Sequence, residues 1–279
     1  DAGTYTLTAS IKETDSMEAA SVTLNITISK ATLTATGADI TPKTYDKTDS
    51  ATVETVTFTG LVNGETLALG TDYTATGTFG SADAGENKSV TVTVALKESA
   101  TAKNYQLSNG TVNATGTITR VSSTITHAPA ASGITYGQAL SDSKLTGGTG
   151  NTEGRFTWTA PDTKPNAGTA EYSVTFTPDD ANYDTATVNV SVIVAKATPS
   201  LTAPAASAIE YGQKLSDSAL TGGEAKNPHG NAATAGTWSW ANGDTRPTAT
   251  GTFPVAFAPS DIANYNTPAN VDTSVTVNP

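Results

Sequence analysis

The chain has 279 residues, 37% of them apolar and none of them cysteine, with a formal net charge of −11. That length holds two to four small domains, and an excess of Thr with evenly spread Val favours half-buried strands over long helices. An acidic surface repels phosphate backbones, no apolar run reaches membrane-spanning length and there are no disulfide staples, so nucleic-acid binding, membrane insertion of this segment and a disulfide scaffold are set aside.

Residues 1–30 carry two strand patterns. The stretch from Asp1 to Ser10 puts Tyr5, Leu7 and Ala9 on one face, and Val22, Leu24, Ile26 and Ile28 alternate with Thr23, Asn25 and Thr27. That period of two is the signal of a strand with one wet face. The sequence opens at Asp1 inside a strand pattern, so we read it as an excerpt of a longer protein and residues 1–30 as the last two strands of a preceding repeat. Their apolar face is expected to find cover against residues 31–120 or a neighbouring molecule, because an isolated hairpin is marginal in water.

Residues 31–120 predict strands over 33–37, 52–59, 73–79, 89–96 and 111–119, with turn signals at Asn63-Gly64, Gly70, Gly80, Gly85 and Asn109-Gly110. Strands at this spacing without a helical period predict an antiparallel sandwich, with a β-grasp or another small β fold as the alternative.

Residues 121–196 and 197–279 are two copies of one pattern. Ile134-Thr-Tyr-Gly-Gln-Ala-Leu-Ser-Asp-Ser-Lys-Leu-Thr-Gly-Gly148 returns as Ile209-Glu-Tyr-Gly-Gln-Lys-Leu-Ser-Asp-Ser-Ala-Leu-Thr-Gly-Gly223, identical at twelve of fifteen positions and 75 residues further on. A repeat of that length is a domain array. Each copy continues with a Trp segment, a strand ending in Phe-x-Pro (170–178 and 251–259), an Ala-Asn-Tyr corner (181–183 and 263–265) and a last strand (187–194 and 273–277). Linkers of a few residues limit the swing between neighbours, and three complete domains placed end to end would span roughly 100 Å.

The motifs carry a resemblance. Tyr-Gly-Gln, Leu-Ser-Asp-Ser, Thr-Gly-Gly, Phe-Thr-Pro and Ala-Asn-Tyr resemble the YGX-type immunoglobulin-like stalk repeats of large bacterial surface proteins. Residues 31–120, with Thr44-Tyr-Asp46, Phe58-Thr-Gly-Leu61, Ala82-Asp-Ala-Gly85 and Asn104-Tyr105, resemble the related YDG type. They depart from it at Lys47, where that family has Gly, which predicts a different turn. Asp1-Ala-Gly-Thr-Tyr5 is similar to the start of strand F in immunoglobulin domains, where a Tyr closes a corner. The resemblance implies tandem immunoglobulin-like sandwiches in an extended array, a cell-surface location, a spacer or adhesive role and no catalytic residues.

Residues able to contact a ligand are few. Tyr136 and Tyr211 could form a platform, but a core ring with an outward hydroxyl explains them more simply. Trp158, Trp238 and Trp240 could stack on sugars if exposed; their repetition at one position argues for core packing, and Trp238, whose counterpart is Phe156, is the better choice for exposure. Asp179, Asp180 and Asp184 around Asn182 could bind Ca²⁺, yet no calcium-type loop surrounds them and turn bonding accounts for them. His127 and His229 occupy unmatched positions, so zinc, thiol and triad chemistry have no support, and nothing points to a carboxylate pair.

The sequence therefore predicts an all-β tandem without cofactor, metal or catalytic residue: a monomeric, extracellular, surface-attached spacer of a bacterial adhesin or fibre. Contact with a host or matrix glycan or protein would fall to distal domains. The rivals are a carbohydrate-binding module using exposed Trp and Tyr, and accessory β domains of a secreted enzyme.

Overall fold

Alternation decides the centre of residues 31–120. In Ser89–Leu96, Val90, Val92 and Val94 are buried while Thr91 and Thr93 face solvent, as a strand with one wet face requires. In the computed structural model, which describes residues 1–279, nearly all regular secondary structure is strand, and the chain falls into two compact units, residues 1–121 with 181–184 and residues 122–180 with 185–279.

The first unit opens with a hairpin, β1 (Gly3–Ile11) and β2 (Ala20–Ile28), paired antiparallel from Gly3↔Ile28 to Ile11↔Ala20. Next come β3 (Ala31–Ile40), β4 (Lys43–Thr44), β5 (Ser50–Ala51), β6 (Val53–Thr59), β7 (Tyr73–Phe79), β8 (Gly85–Leu96), β9 (Tyr105–Leu107) and β10 (Thr111–Thr119). They form a five-stranded sheet in the order β4-β10-β8-β7-β5 and a three-stranded sheet in the order β6-β3-β9. Ala35, Val53 and Val56 from the smaller sheet share a core with Tyr73, Phe79, Val90, Val92, Val94 and Ile118 from the larger one. Each such buried side chain stabilises the fold by about 1.5–3 kcal/mol. Two sheets over one core make a sandwich. The only helical turn of this unit is Ala102–Asn104, so no helix crosses a sheet as a β-grasp needs.

Lys47 takes φ +69°, the left-handed conformation glycine would supply, at a cost in strain. Around it, Lys43 and Thr48 bind the Asp46 carboxylate and hold its pKa at about 2. Residues 31–120 do not cover the apolar row of the hairpin: Val22 is 71% exposed, and Leu7 and Leu24 are exposed as well. The hairpin meets residues 31–120 through its first two residues instead. Asp1 pairs with Lys103, and the Ala2 amide donates to Asn104. Within the hairpin, the Tyr5 hydroxyl donates to the Asp1 carbonyl at 2.8 Å, the corner bond expected of the Asp-Ala-Gly-Thr-Tyr stretch.

The second unit holds two similar sandwiches. The third repeat is built from β11 (Ile125–His127), β12 (Ala130–Ala131), β13 (Ile134–Thr135), β14 (Leu145–Thr146), β15 (Thr149–Gly150), β16 (Gly154–Trp158), β17 (Gly168–Pro178) and β18 (Ala186–Ala195). Its main sheet runs β13-β18-β17-β16, with the short ladders β11-β15 and β12-β14 completing the domain over Ile134, Leu140, Trp158, Val174, Val190, Val192 and Val194. The fourth repeat follows with β19 (Ser200–Thr202), β20 (Ala205–Ala206), β21 (Ile209–Glu210), β22 (Leu220–Thr221), β23 (Glu224–Lys226), β24 (Gly236–Trp240), β25 (Gly251–Pro259), β26 (Val271–Val275) and β27 (Val277–Asn278). The last strand, expected to be continuous over 273–277, breaks at Thr276; just beyond the break the Val277 amide bonds to the Thr250 hydroxyl. No helix is long and apolar enough to cross a membrane.

The fifteen-residue motif proves to be a set of local bonds. The Gln138 side-chain oxygen takes the Thr135 amide at 2.7 Å, and Gln213 takes that of Glu210 at 2.6 Å. Asp142 and Asp217 receive the amides of Ala139 and Lys214, opening a single helical turn in each copy. The Ser143 and Ser218 hydroxyls donate to the Ser132 and Ser207 carbonyls, while their own carbonyls accept the indole N–H of Trp158 and Trp240 at 2.9 and 3.0 Å. None of the three differing positions, 135/210, 139/214 and 144/219, needs its side chain for these bonds. The motif is a turn that seats a tryptophan.

Candidate functional site

Of the tryptophans singled out from sequence, two serve the cores. Trp158 is 8% exposed. Trp240 holds the matching place in the fourth repeat, partly buried against Ile209, Leu215 and Val275. Trp238, the indole most expected to be exposed, is partly buried: one side lies against Phe257 with ring centres 5.0 Å apart, as its counterpart Phe156 lies against Phe176, and it lines an open groove beside Gly223 and Gly236. An open groove of about 550 Å³ beside Trp158, lined also by Leu145, Phe156 and Pro161, offers no free indole face. His127 bonds to Thr149, and His229 uses its backbone to reach Asn227. No three acidic or histidine side chains converge.

What the fold does bring together is an Asn-Tyr corner and an Ala-Gly turn, three times. The Ala2 amide donates to Asn104 Oδ1 at 2.9 Å, the Ala84 amide to Asn182 Oδ1 at 2.7 Å, and the Ala167 amide to Asn264 Oδ1 at 2.8 Å. In return each Asn Nδ2 points to the residue before that alanine: Asp1 at 3.2 Å, Asp83 at 3.3 Å and Asn166 at 3.4 Å. An amide carries both a donor and an acceptor, so a single Asn reads a backbone N–H and a side-chain oxygen at once. The first two clasps lie in the first compact unit, to which the four-residue loop 181–184 belongs, and the third lies in the second.

Local structure aims each Asn. The Asn264 amide and Nδ2 bond to the two carboxylate oxygens of Asp261, leaving Oδ1 directed at Ala167; Asn264 is 8% exposed. The following Tyr is held by the strand that enters its repeat, in the parallel pairings Ala31↔Tyr105, Val121↔Tyr183 and Ala197↔Tyr265. Tyr105 is buried, accepts the Val62 amide and donates to Glu65; burial pushes its hydroxyl pKa up.

The tyrosine of the Tyr-Asp or Tyr-Gly motif forms the second part. Tyr45 meets Tyr183 edge-on with ring centres 6.2 Å apart, and Tyr136 meets Tyr265 at 5.2 Å and 84°. Such edge-to-face pairs stabilise by about 0.5–1.5 kcal/mol beyond the area they bury. Asn227, 2% exposed, closes the second pair: its Nδ2 donates to the Tyr136 carbonyl and the Tyr265 hydroxyl, both at 3.2 Å. Burial against this group raises the Tyr136 pKa. The expectation of a core tyrosine holds for Tyr136, half-buried against its own repeat's core and covered by the fourth repeat as well, and fails for Tyr211, which is 68% exposed and belongs to no core.

The three asparagines were not among the residues singled out as contacts. Their signal is the recurrence of Asp/Asn-Ala-Gly in one stretch and Asn-Tyr 97 to 102 residues after its alanine.

Residues 28–114 match the YDG domain family. Comparison with curated proteins finds no match. Among solved structures, the chain is similar to Drosophila N-cadherin EC1-4 (10% identity, 99% of this chain and 84% of that one, TM-score 0.29) and to Sidekick-1 immunoglobulin domains 1–5 (11%, 100% and 67%, TM-score 0.32). It is also similar to titin domains I67–I69 (10% identity, 88% and 96%, TM-score 0.30).

Proposed function

We propose that this chain is a non-catalytic stalk or spacer segment of a secreted bacterial adhesin or fibre, outside the cell and attached to its surface. The observation that carries this reading is the thrice-repeated clasp. The polar and aromatic residues that recur from repeat to repeat are used on contacts between stretches of the chain about a hundred residues apart. The YDG match over residues 28–114 and the tryptophans held in the cores support it further. On this reading the segment is a monomer without cofactor or nucleic-acid partner, and any glycan or protein contact belongs to distal domains.

A glycan array combined with sedimentation of the full chain tests the proposal. The expected result is a monomer that retains no glycan above background. Specific retention abolished by Trp238→Ala would overturn it in favour of a carbohydrate-binding module.

A further inference from the structure

We infer that the exposed Tyr211-Gly212 surface of the fourth repeat is a docking site for the Asn-Tyr corner of a further repeat joined in the same chain. The inference needs only the tandem architecture and not the adhesin context. Locally the Tyr211 surface shares its motif bonds with the Tyr136 surface and adds one, from the Arg246 guanidinium to the Gly212 carbonyl. The Tyr136 amide bonds to the Ala195 carbonyl at 2.8 Å and the Tyr211 amide to that of Asn278 at 2.9 Å. Each motif is closed by its own Gln, and Gly137 and Gly212 share positive φ values of 100° and 92°. The two differ in what stands over them. A Cβ built on Gly137 would lie 2.7 Å from Asn227, and Tyr136 carries Tyr265; a Cβ on Gly212 would meet nothing within 4 Å. Tyr211 is thus a finished half of a contact whose other half appears twice in this chain, as Tyr183 on Tyr45 and Tyr265 on Tyr136.

The occupant follows from the same bonds. All three Asn-Tyr corners of this chain are engaged, Asn104 by Ala2, Asn182 by Ala84 and Asn264 by Ala167, so a second folded copy has none to offer. A repeat in cis does. Ala195, which holds Tyr136, is two residues before Ala197, which bridges Tyr265. Asn278 takes the place of Ala195, so a repeat starting directly after Pro279 has the same spacing. The turn before Gly251 reads Thr248-Ala249-Thr250, with no Asp or Asn to accept an Nδ2 bond. This junction therefore rests on the ring pair and the backbone bond alone.

The test extends the full chain at Pro279 with a second copy of residues 197–279, carrying Phe at the place of Tyr211 so that only the original Tyr211 reports. Nitration of Tyr211 by tetranitromethane, followed by mass spectrometry, should slow at least fivefold relative to residues 1–279. It should recover when the appended corner Asn and Tyr are replaced by Ala. Equal rates in the extended and parent chains would overturn the inference, and so would concentration-dependent protection in the parent, which would assign the surface to self-association. The existing pair supplies a second arm. Tyr136 in residues 1–279 should be protected, and Asn227→Ala with Asn264→Ala should expose it; no change there would remove the basis of the analogy. Neither arm involves a glycan, so the spacer reading stands or falls separately.

Discussion

The third and fourth repeats carry Tyr-Gly-Gln in the same turn, yet Tyr136 is covered and Tyr211 stands in solvent. Their internal bonds are the same, so the difference does not arise inside the motif. It comes from the fourth repeat, which lays Asn227 and Tyr265 over Tyr136. In a tandem array, stability divides into what a repeat supplies itself and what its neighbour adds. The two copies separate these contributions at one position.

Substitutions made in both copies can break this comparison or sharpen it. Trp158→Ala and Trp240→Ala should have the largest and most nearly equal effects, about 3–5 kcal/mol each, because each removes a core indole bonded within its own repeat. Denaturant unfolding followed by circular dichroism reads this, since Trp158→Ala leaves the third repeat without a tryptophan to fluoresce. A clear inequality would show that the cores are not equivalent. Tyr136→Ala and Tyr211→Ala should differ most: about 2–3 kcal/mol for the covered ring, and within about 0.5 kcal/mol for the exposed one. Equal losses would return Tyr211 to a core role.

The glycines sharpen the same contrast. Both sit at positive φ, so Gly212→Ala should cost about 1–2 kcal/mol from strain alone. Gly137→Ala should cost more, because its new methyl also runs into Asn227, and the excess should vanish in an Asn227→Ala background. Gln138→Ala and Gln213→Ala should each cost about 1 kcal/mol, for one backbone amide left without its acceptor. A markedly larger loss at Gln138 would mean that the neighbour also leans on the turn.

Much of the fold can be read directly from sequence, and the reason is local. Strands 73–79, 111–119 and 251–259 are bounded where alternation and turn residues place them. The repeated Trp correctly signals a core position, since Ser143 and Ser218 lie in the same motif as the turn that receives the indole. Trp238 and its counterpart Phe156 fill the same place against a phenylalanine of the adjacent strand, a pairing that only the strand register reveals. The clasps stayed hidden for a different reason. Asp83-Ala-Gly and Asn182-Tyr read as separate motifs in the sequence, because nothing local shows that an amide and its acceptor 98 residues apart will meet. The exposure of Tyr211 could not be read for the same reason, since burial there is decided by a neighbour.

The central claim is that the Asn-Tyr clasp ties one repeat to the next, and the third and fourth repeats, both inside the second compact unit, allow a direct test. With no native cysteine, Lys144→Cys and Ser239→Cys place two spin labels at exposed positions, one in each repeat. Pulsed electron–electron double resonance should give one narrow distance distribution, which broadens when Asn264→Ala and Tyr136→Ala are introduced together. A distribution equally narrow in the variant, or already broad in the parent, would contradict the account.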